Sequence, residues 1–176
     1  MGLELLAAIV AAVACAGIAL MLRKATRQRL PSWIVPAAAG LGLIGFTAWN
    51  EYSWFSRVSA ALPDGVKVVW QDDAPQLLRP WTYVAPLTVR FLAMDTRNLA
   101  KHPGNADLVL TDVYAFARWR GVEQGVVVVD CAKASLVRLT TETKIDDAGV
   151  LTGGEWQPVA EGDATATLAC GGASDG

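Results

Sequence analysis

Two long apolar runs open the chain and are separated by a short basic segment. Residues 2–22 contain one charged side chain, Glu4, and residues 30–49 contain none. A bilayer core of about 30 Å needs about 20 apolar helical residues, each adding about 1.5 Å. Both runs reach that length. The sequence therefore predicts a two-helix transmembrane hairpin in residues 1–50, with spans at about 2–22 and 30–50.

The segment between the runs, residues 23–29, predicts the orientation of the chain. It carries four basic side chains: Arg23, Lys24, Arg27 and Arg29. Because Lys and Arg beside membrane spans are retained in the cytoplasm, we expect this loop in the cytoplasm and both termini outside. Aromatic side chains, which favour the headgroup region, follow the second run: Trp49, Tyr52, Trp54 and Phe55. The sequence predicts a multi-pass protein of a bacterial-type inner (plasma) membrane, with residues 51–176 in the periplasm or an equivalent compartment.

Two other interpretations of the first run fit the sequence less well. A cleaved signal peptide has its positive charges before the apolar core, whereas here they follow it. The segment that ends at Cys15 loosely resembles a lipoprotein cleavage site, but the apolar run continues unbroken to Leu22. We expect Cys15 to be a small residue buried in the membrane, because a free cysteine behaves as a small hydrophobe.

Small residues recur at four-residue spacing in both runs. In the first run they form two adjacent stripes: Ala8, Ala12 and Ala16, and Ala7, Ala11 and Cys15. In the second run, Ala38 and Gly42 have the same spacing. Such stripes let helix backbones approach closely, so we expect the two spans to pack against each other. A lateral partner helix is the alternative.

Residues 51–176 have the composition of one globular domain with several strands. The segments rich in Val, Thr and aromatic residues are 66–70, 88–94, 108–119, 126–129 and 136–141. Sequential strands joined by short turns predict an antiparallel meander with one face covered. Residues 164–169 are typical of a short terminal helix with Asp163 as its N-cap. The predicted fold class is a membrane-anchored α+β protein: a transmembrane hairpin followed by a small antiparallel-sheet domain.

Cys131 and Cys170 are the two cysteines of this domain, in a compartment predicted to be oxidising. A disulfide between them would close a loop of about 40 residues and stabilise the domain by roughly 4 kcal/mol. Two buried thiols are the alternative interpretation. A metal site is a weaker one, because no histidine lies near either cysteine.

The region around these cysteines resembles a known family. The stretch VVVVDCAKASLVRL, with the later EWQPVAEGDATATLAC, is similar to the C-terminal half of the surface-adhesin protein E family. In that family a strand ends in Asp-Cys-Ala, a basic strand follows, and a Trp-x-Pro-Val segment precedes a short helix that ends in Cys. The matching residues are Asp130, Cys131, Ala132, Arg138, Trp156, Pro158, Val159 and Cys170. The resemblance covers about residues 108–170 and implies an antiparallel sheet, a terminal helix and one disulfide. It does not carry adhesion across, because that family has a lipoprotein anchor in place of a hairpin.

Residues that carry chemistry are sparse in this chain. The one histidine, His102, lies in a turn beside a proline, and the pairs Asp72-Asp73 and Asp146-Asp147 lie in turn-like sequence. Phosphate-binding loops and Cys-x-x-Cys motifs are missing from the sequence. We therefore expect no enzymatic activity, no catalytic residues, no metal site, no cofactor and no small-molecule substrate. The formal net charge of -2 gives no support for nucleic-acid binding.

Two segments combine aromatic and basic side chains, which are enriched at binding hot spots. They contribute Arg79, Trp81 and Tyr83, and Arg118, Trp119 and Arg120. If the segments lie side by side, they form a candidate partner-binding patch; alternatively, the rings cap the core beneath the arginines. We expect a non-enzymatic envelope protein that presents an adhesin-E-like domain on the periplasmic face, in contact with the lipid bilayer and a protein partner. The alternative is a small accessory subunit of a larger inner-membrane complex.

Overall fold

The computed structural model describes residues 2–75, 77, 79–146 and 149–172. The chain divides into two compact units, Met1–Arg57 and Val58–Gly176. The first unit contains helix α1 (Gly2–Ala25) and most of helix α2 (Ile34–Ala60). The second unit contains the sheet.

Helix α1 ends where its basic connector begins. The Thr26 hydroxyl donates to the carbonyl oxygen of Leu22 at 2.9 Å, a bond that competes with continuation of the helix. Arg27 and Gln28 then adopt left-handed backbone angles, with φ of 50° and 62°. The Gln28 N–H donates to the Arg23 carbonyl oxygen at 2.8 Å, which closes the helix end in the way that is usually left to glycine.

Helix α2 begins later than the apolar run that predicts it. The run starts at Leu30, where Pro31 disfavours a helical conformation, and the helix starts at Ile34. Between Ile34 and Asn50, α2 therefore offers only about 16 uncharged residues, or roughly 24 Å. Among the helices of the described residues, Gly2–Ala25 alone is long and apolar enough to cross a membrane, a criterion that a signal sequence also meets.

The two helices of the first unit approach closely at a glycine. A Cβ atom built on Gly42 would lie 2.7 Å from the Cys15 sulfur and 3.1 Å from the Ala11 carbonyl oxygen. On α1, Ala8 and Ala19 are buried. Small residues thus form the contact between α1 and α2, as the spacing of small residues predicts.

The second unit is built on an antiparallel sheet. Its strands are β1 (Val66–Gln71), β2 (Arg90–Asp95), β3 (Ala100–His102), β4 (Asn105–Ala117), β5 (Glu123–Asp130), β6 (Ser135–Leu139), β7 (Lys144–Ile145), β8 (Leu151–Thr152) and β9 (Gln157–Pro158). The main sheet has the order β1-β2-β4-β5-β6-β9, with β3 paired to β4, while β7 and β8 form a separate hairpin. Each strand segment predicted from the sequence is confirmed in this sheet.

The prediction that one face of the sheet is covered is wrong, because the terminal helix α3 (Ala164–Gly172) packs on one face and the β7–β8 hairpin packs on the other, so the core lies on both faces. Val128 and Val129 are both fully buried, although they are adjacent and point to opposite faces. On one face, Met94, Val109 and Val129 pack with Ala169 of α3. On the other face, a second cluster packs against the β7–β8 hairpin: Leu108, Val128 and Val137. Burial on two sides explains why residues 126–129 are apolar without interruption.

Two features that the sequence predicts hold α3 in place. The Asp163 carboxylate accepts hydrogen bonds from the Thr165 and Ala166 N–H groups at 2.8 and 3.1 Å, which confirms the predicted N-cap. Cys131 and Cys170 form a disulfide with Cα atoms 5.8 Å apart. The bond joins α3 to the turn after β5 and confirms the predicted pairing.

Candidate functional site

The two aromatic–basic segments leave the sheet at the same end. The end of β1 pairs with the start of β2, and Ala117 at the end of β4 pairs with Arg90. β5 begins beside the end of β4. The loop between β1 and β2 (residues 72–89) and the turn between β4 and β5 (residues 118–122) are therefore neighbours. This end of the sheet is termed the aromatic end.

The 72–89 loop is closed at its base by two aspartates. The Asp72 carboxylate accepts hydrogen bonds from the Arg90 guanidinium at 2.6 and 3.1 Å. Asp73 accepts one from the Thr88 hydroxyl and one, at 2.6 Å, from the Gln71 amide. Both carboxylates thus hold the two ends of the loop together, in agreement with their prediction as turn formers.

A short 3₁₀ helix, Pro80–Tyr83, carries the first aromatic pair. Its one fully buried residue is Thr82, whose hydroxyl donates to the Arg79 carbonyl oxygen at 2.7 Å. Trp81 and Tyr83, on either side of Thr82, are 56% and 62% exposed. Pro80 presets the backbone angle at the start of the helix. The anchored threonine therefore leaves both rings directed to solvent.

The 118–122 turn carries the third ring in a strained position. Trp119 is 52% exposed and has a left-handed φ of 71°. That conformation costs a bulky side chain about 1–2 kcal/mol. The Arg118 guanidinium carbon lies 4.3 Å from the centre of the Trp119 ring, and the Arg118 N–H donates to the Val89 carbonyl oxygen at 2.9 Å. Arg120 is exposed. The turn therefore holds a large ring in solvent at a conformational cost.

The opposite end of the sheet contains an ion pair between a buried aspartate and a half-exposed arginine. Asp95 is buried, and its carboxylate accepts from the Arg97 guanidinium at 2.9 and 2.8 Å. The side-chain hydrogen bonds from Arg97 lower the pKa of Asp95, although burial opposes this shift. A Cβ atom on Gly65 would lie 2.6 Å from the Arg97 side chain, so glycine is required there. The pair shapes the turn after β2, and Thr96 between the two residues fastens the chain entering β1, because its N–H and hydroxyl donate to the Gly65 carbonyl oxygen at 2.8 and 2.7 Å.

The remaining residues that the sequence singled out for chemistry are parts of turns. His102 accepts a hydrogen bond from the Gly104 N–H at 3.2 Å through its Nδ1 atom. The Asp146 carboxylate accepts from the Val150 N–H at 2.8 Å, while Asp147 lies outside the described residues. Across the part of the chain that the structure describes, no three His, Cys, Asp or Glu side chains gather as metal ligands.

A polar cluster in the first unit was not predicted from the sequence. The Asn50 amide donates to the Glu4 carboxylate at 3.3 Å, and the Arg57 guanidinium donates to the Asn50 side-chain oxygen at 2.6 Å. Arg57 also lies over the Trp49 ring, 5.3 Å from its centre. Asn50 and Arg57 are seven residues apart, which places them on one helix face, and that spacing was the available signal. The cluster joins the first turn of α1 to α2.

Comparisons with known proteins give no relative for this chain. No protein-family model, no curated protein and no solved structure matches it.

Proposed function

We propose that this protein is a membrane-anchored, non-enzymatic envelope protein whose helices α1 and α2 cross the inner membrane as a hairpin. The observation that carries the proposal is the bare apolar surface of the first unit. Large apolar side chains on both helices are more than half exposed: Leu5, Val13, Ile18, Met21, Leu41 and Ile44. Exposed apolar surface on this scale marks an interaction with lipid or another protein.

The contacts between the helices support a retained α1 over a cleaved signal sequence. Removal of α1 would uncover Gly42, where the helices approach most closely, and would take Glu4 away from Asn50. The same hydrogen bonds support membrane insertion of α2 despite its short apolar stretch. A paired asparagine is less costly at the membrane boundary than an unpaired one, and a short span is accommodated by local thinning of the bilayer.

Orientation rests on two independent features. The last turn of α1 and the connector that follows it carry four basic residues at positions 23–29, which favours the cytoplasm for this end of the hairpin and the opposite side for both termini. The disulfide between Cys131 and Cys170 favours an oxidising compartment for the second unit. Both features favour the periplasm or its equivalent for this unit.

Presentation of the second unit to a partner completes the proposal, with the aromatic end as the contact surface. The protein E-like fold is part of it, and the Asp-Cys-Ala motif has a physical basis in this chain. The Asp130 carboxylate accepts from the Ala132 and Lys133 N–H groups, both at 3.0 Å. It thereby shapes the turn that positions Cys131 for its disulfide. The protein partner that the sequence suggests stays a prediction.

The test of the anchor uses the full-length chain. Alkaline phosphatase fused after Gly176 is expected to be active, whereas the same enzyme inserted after Arg27 is expected to be inactive. The protein is expected to resist extraction by carbonate, and its intact mass should show that the N-terminal helix is present. Loss of α1 from the mature protein, or activity of only the Arg27 fusion, would overturn the hairpin.

A second candidate, an accessory subunit that uses its helices as the interface, has one observation in its favour. A groove of about 410 Å³ lies between α1 and α2. Its lining is apolar and includes Ile18, Leu22, Leu30, Ile34, Ala38 and Leu41. If a partner helix fills this groove, Ala38→Leu should reduce the size of the native complex on a native gel, whereas Trp119→Asn should leave it unchanged.

A further inference from the structure

The aromatic end projects isolated apolar side chains into solvent. Leu77 and Val84, on the 72–89 loop, are 86% and 90% exposed. Trp81, Tyr83 and Trp119 are more than half exposed beside them. Small-molecule sites are concave and bury most of their ligand, whereas these residues project singly from a loop and a turn. This arrangement fits the apolar interior of a lipid layer, which deforms around inserted side chains and needs no complementary pocket.

The charges of the two segments favour an anionic surface. The loop and the turn together contain two aspartates and three arginines: Asp72, Asp73, Arg79, Arg118 and Arg120. Both aspartates lie at the base of the loop, and Asp72 is neutralised there by a salt bridge with Arg90 at 2.6 Å. Arg120 is exposed in the turn beside Trp119, whereas Arg118 is half-buried against the Trp119 ring and Arg79 is half-buried before the 3₁₀ helix. Cationic charge thus accompanies the apolar side chains.

We propose that the aromatic end docks onto an anionic phospholipid surface, with Leu77, Val84 and the three rings at the headgroup boundary and Arg120 on the phosphates. The inference rests on the proposed membrane anchor, which keeps a bilayer at high effective concentration. Trp and Tyr prefer the interface between water and lipid, and basic residues are attracted to anionic leaflets. The strained φ of Trp119 agrees with this role, because Asn or Gly would fit that turn at lower cost.

Docking is measured with the full-length protein in liposomes. A Cys15→Ser background receives one added cysteine, Val84→Cys, labelled with the environment-sensitive fluorophore NBD. The matched control is Lys101→Cys, an exposed position on β3 near the opposite end of the sheet. With phosphatidylglycerol in the bilayer, the label at position 84 should become brighter and shift to shorter wavelength. In phosphatidylcholine alone it should respond less, and the label at position 101 should not respond in either lipid.

Variants and quenchers identify the interaction and the bilayer. Arg120→Gln should weaken docking about fivefold, the factor that corresponds to about 1 kcal/mol for one arginine near an anionic surface. Trp119→Asn should weaken it as well, while the disulfide and the far-ultraviolet circular dichroism stay intact. Quencher lipids in the host bilayer, or in added phosphatidylglycerol vesicles, distinguish docking on the anchoring membrane from docking on a facing one.

The outcomes separate the two proposals. If NBD at position 84 reports water in every lipid and no quencher reaches it, lipid docking is refuted, and the membrane anchor stands if the protein survives a carbonate wash. Cross-linking of position 84 to a protein in native membranes, without a response of the label to lipid, would also refute lipid docking and would identify a protein as the partner. If the carbonate wash removes the protein from the membrane, the membrane anchor is refuted. Lipid docking would still be supported if the wild-type protein floats with phosphatidylglycerol vesicles and Arg120→Gln does not.

Discussion

Removal of the Cys131–Cys170 disulfide is expected to destabilise the second unit by about 4 kcal/mol. The two cysteines are 39 residues apart. For a closed loop of this length, the chain-entropy relation gives about 13 cal/mol/K, or about 4 kcal/mol at 25 °C. In the double variant Cys131→Ser with Cys170→Ser, the unfolded chain regains this entropy, while the folded chain loses only the cross-link.

The place of the disulfide in the fold indicates which element loosens first. Helix α3 has 9 residues, which is too few for an isolated helix to be stable in water. It is held by the cross-link and by burial of Ala169 against Met94, Val109 and Val129. Without the disulfide, α3 is expected to open before the sheet does and to uncover this cluster.

The assay is urea unfolding of the full-length protein in detergent micelles, followed by tryptophan fluorescence. With a slope of about 2 kcal/mol/M, the midpoint should fall by about 2 M. Wild-type protein in reductant should unfold like the double variant. The matched control is Cys15→Ser, which removes the free cysteine of the first unit and should leave the midpoint unchanged. A loss below about 1 kcal/mol in the double variant would refute the chain-entropy reasoning.

Three further predictions concern other parts of the fold. Arg97 holds the pKa of Asp95 below its ordinary value of 3.8, so stability from this pair is complete above that value and is lost as the pH falls through the lowered pKa. Urea midpoints from pH 5 to pH 2 should therefore fall less steeply for Asp95→Asn. Gly42→Val should separate the hairpin and speed maleimide labelling of the free cysteine in α1, whereas Gly45→Val, with nothing within 4 Å, should not. Ala134→Gly should raise the free energy of unfolding by about 0.5 kcal/mol, and with it the urea midpoint, because φ at this residue is 47° and glycine adopts it without strain.

Local patterns in the sequence were sufficient for most of the sheet and for α3. The uninterrupted apolar residues 126–129 indicated a strand, which is β5, but the predicted meander had one face covered, whereas β5 is buried on both faces. Asp163 before a short apolar segment indicated a helix start, because its carboxylate satisfies N–H groups that the helix leaves free. Strands of two residues, such as Gln157–Pro158, show no periodicity and were not predicted.

Contacts between distant residues were harder to predict. The spacing of four predicted two stripes on α1, and the close contact with Gly42 falls on the stripe of Ala11 and Cys15. The buried face of α1 continues to Ala19. A helix has 3.6 residues per turn, so residues spaced alternately three and four apart stay on one face, whereas residues spaced always four apart drift away from it. The hydrogen bond between Glu4 and Asn50 joins residues 46 positions apart, so no local pattern contained it.

The position of the candidate site follows from topology that the sequence did predict. In a meander, alternate connections leave the sheet at the same end, so the β1–β2 loop and the β4–β5 turn had to be neighbours. The disulfide and the Asp95–Arg97 ion pair lie at the other end, where β2 ends at Asp95 and β5 ends beside Cys131. Because substitutions at well-separated sites change stability independently, Trp119→Asn is expected to alter docking without weakening the disulfide-linked end. Loss of docking in a variant that keeps its urea midpoint would therefore reflect the surface itself and not the stability of the fold.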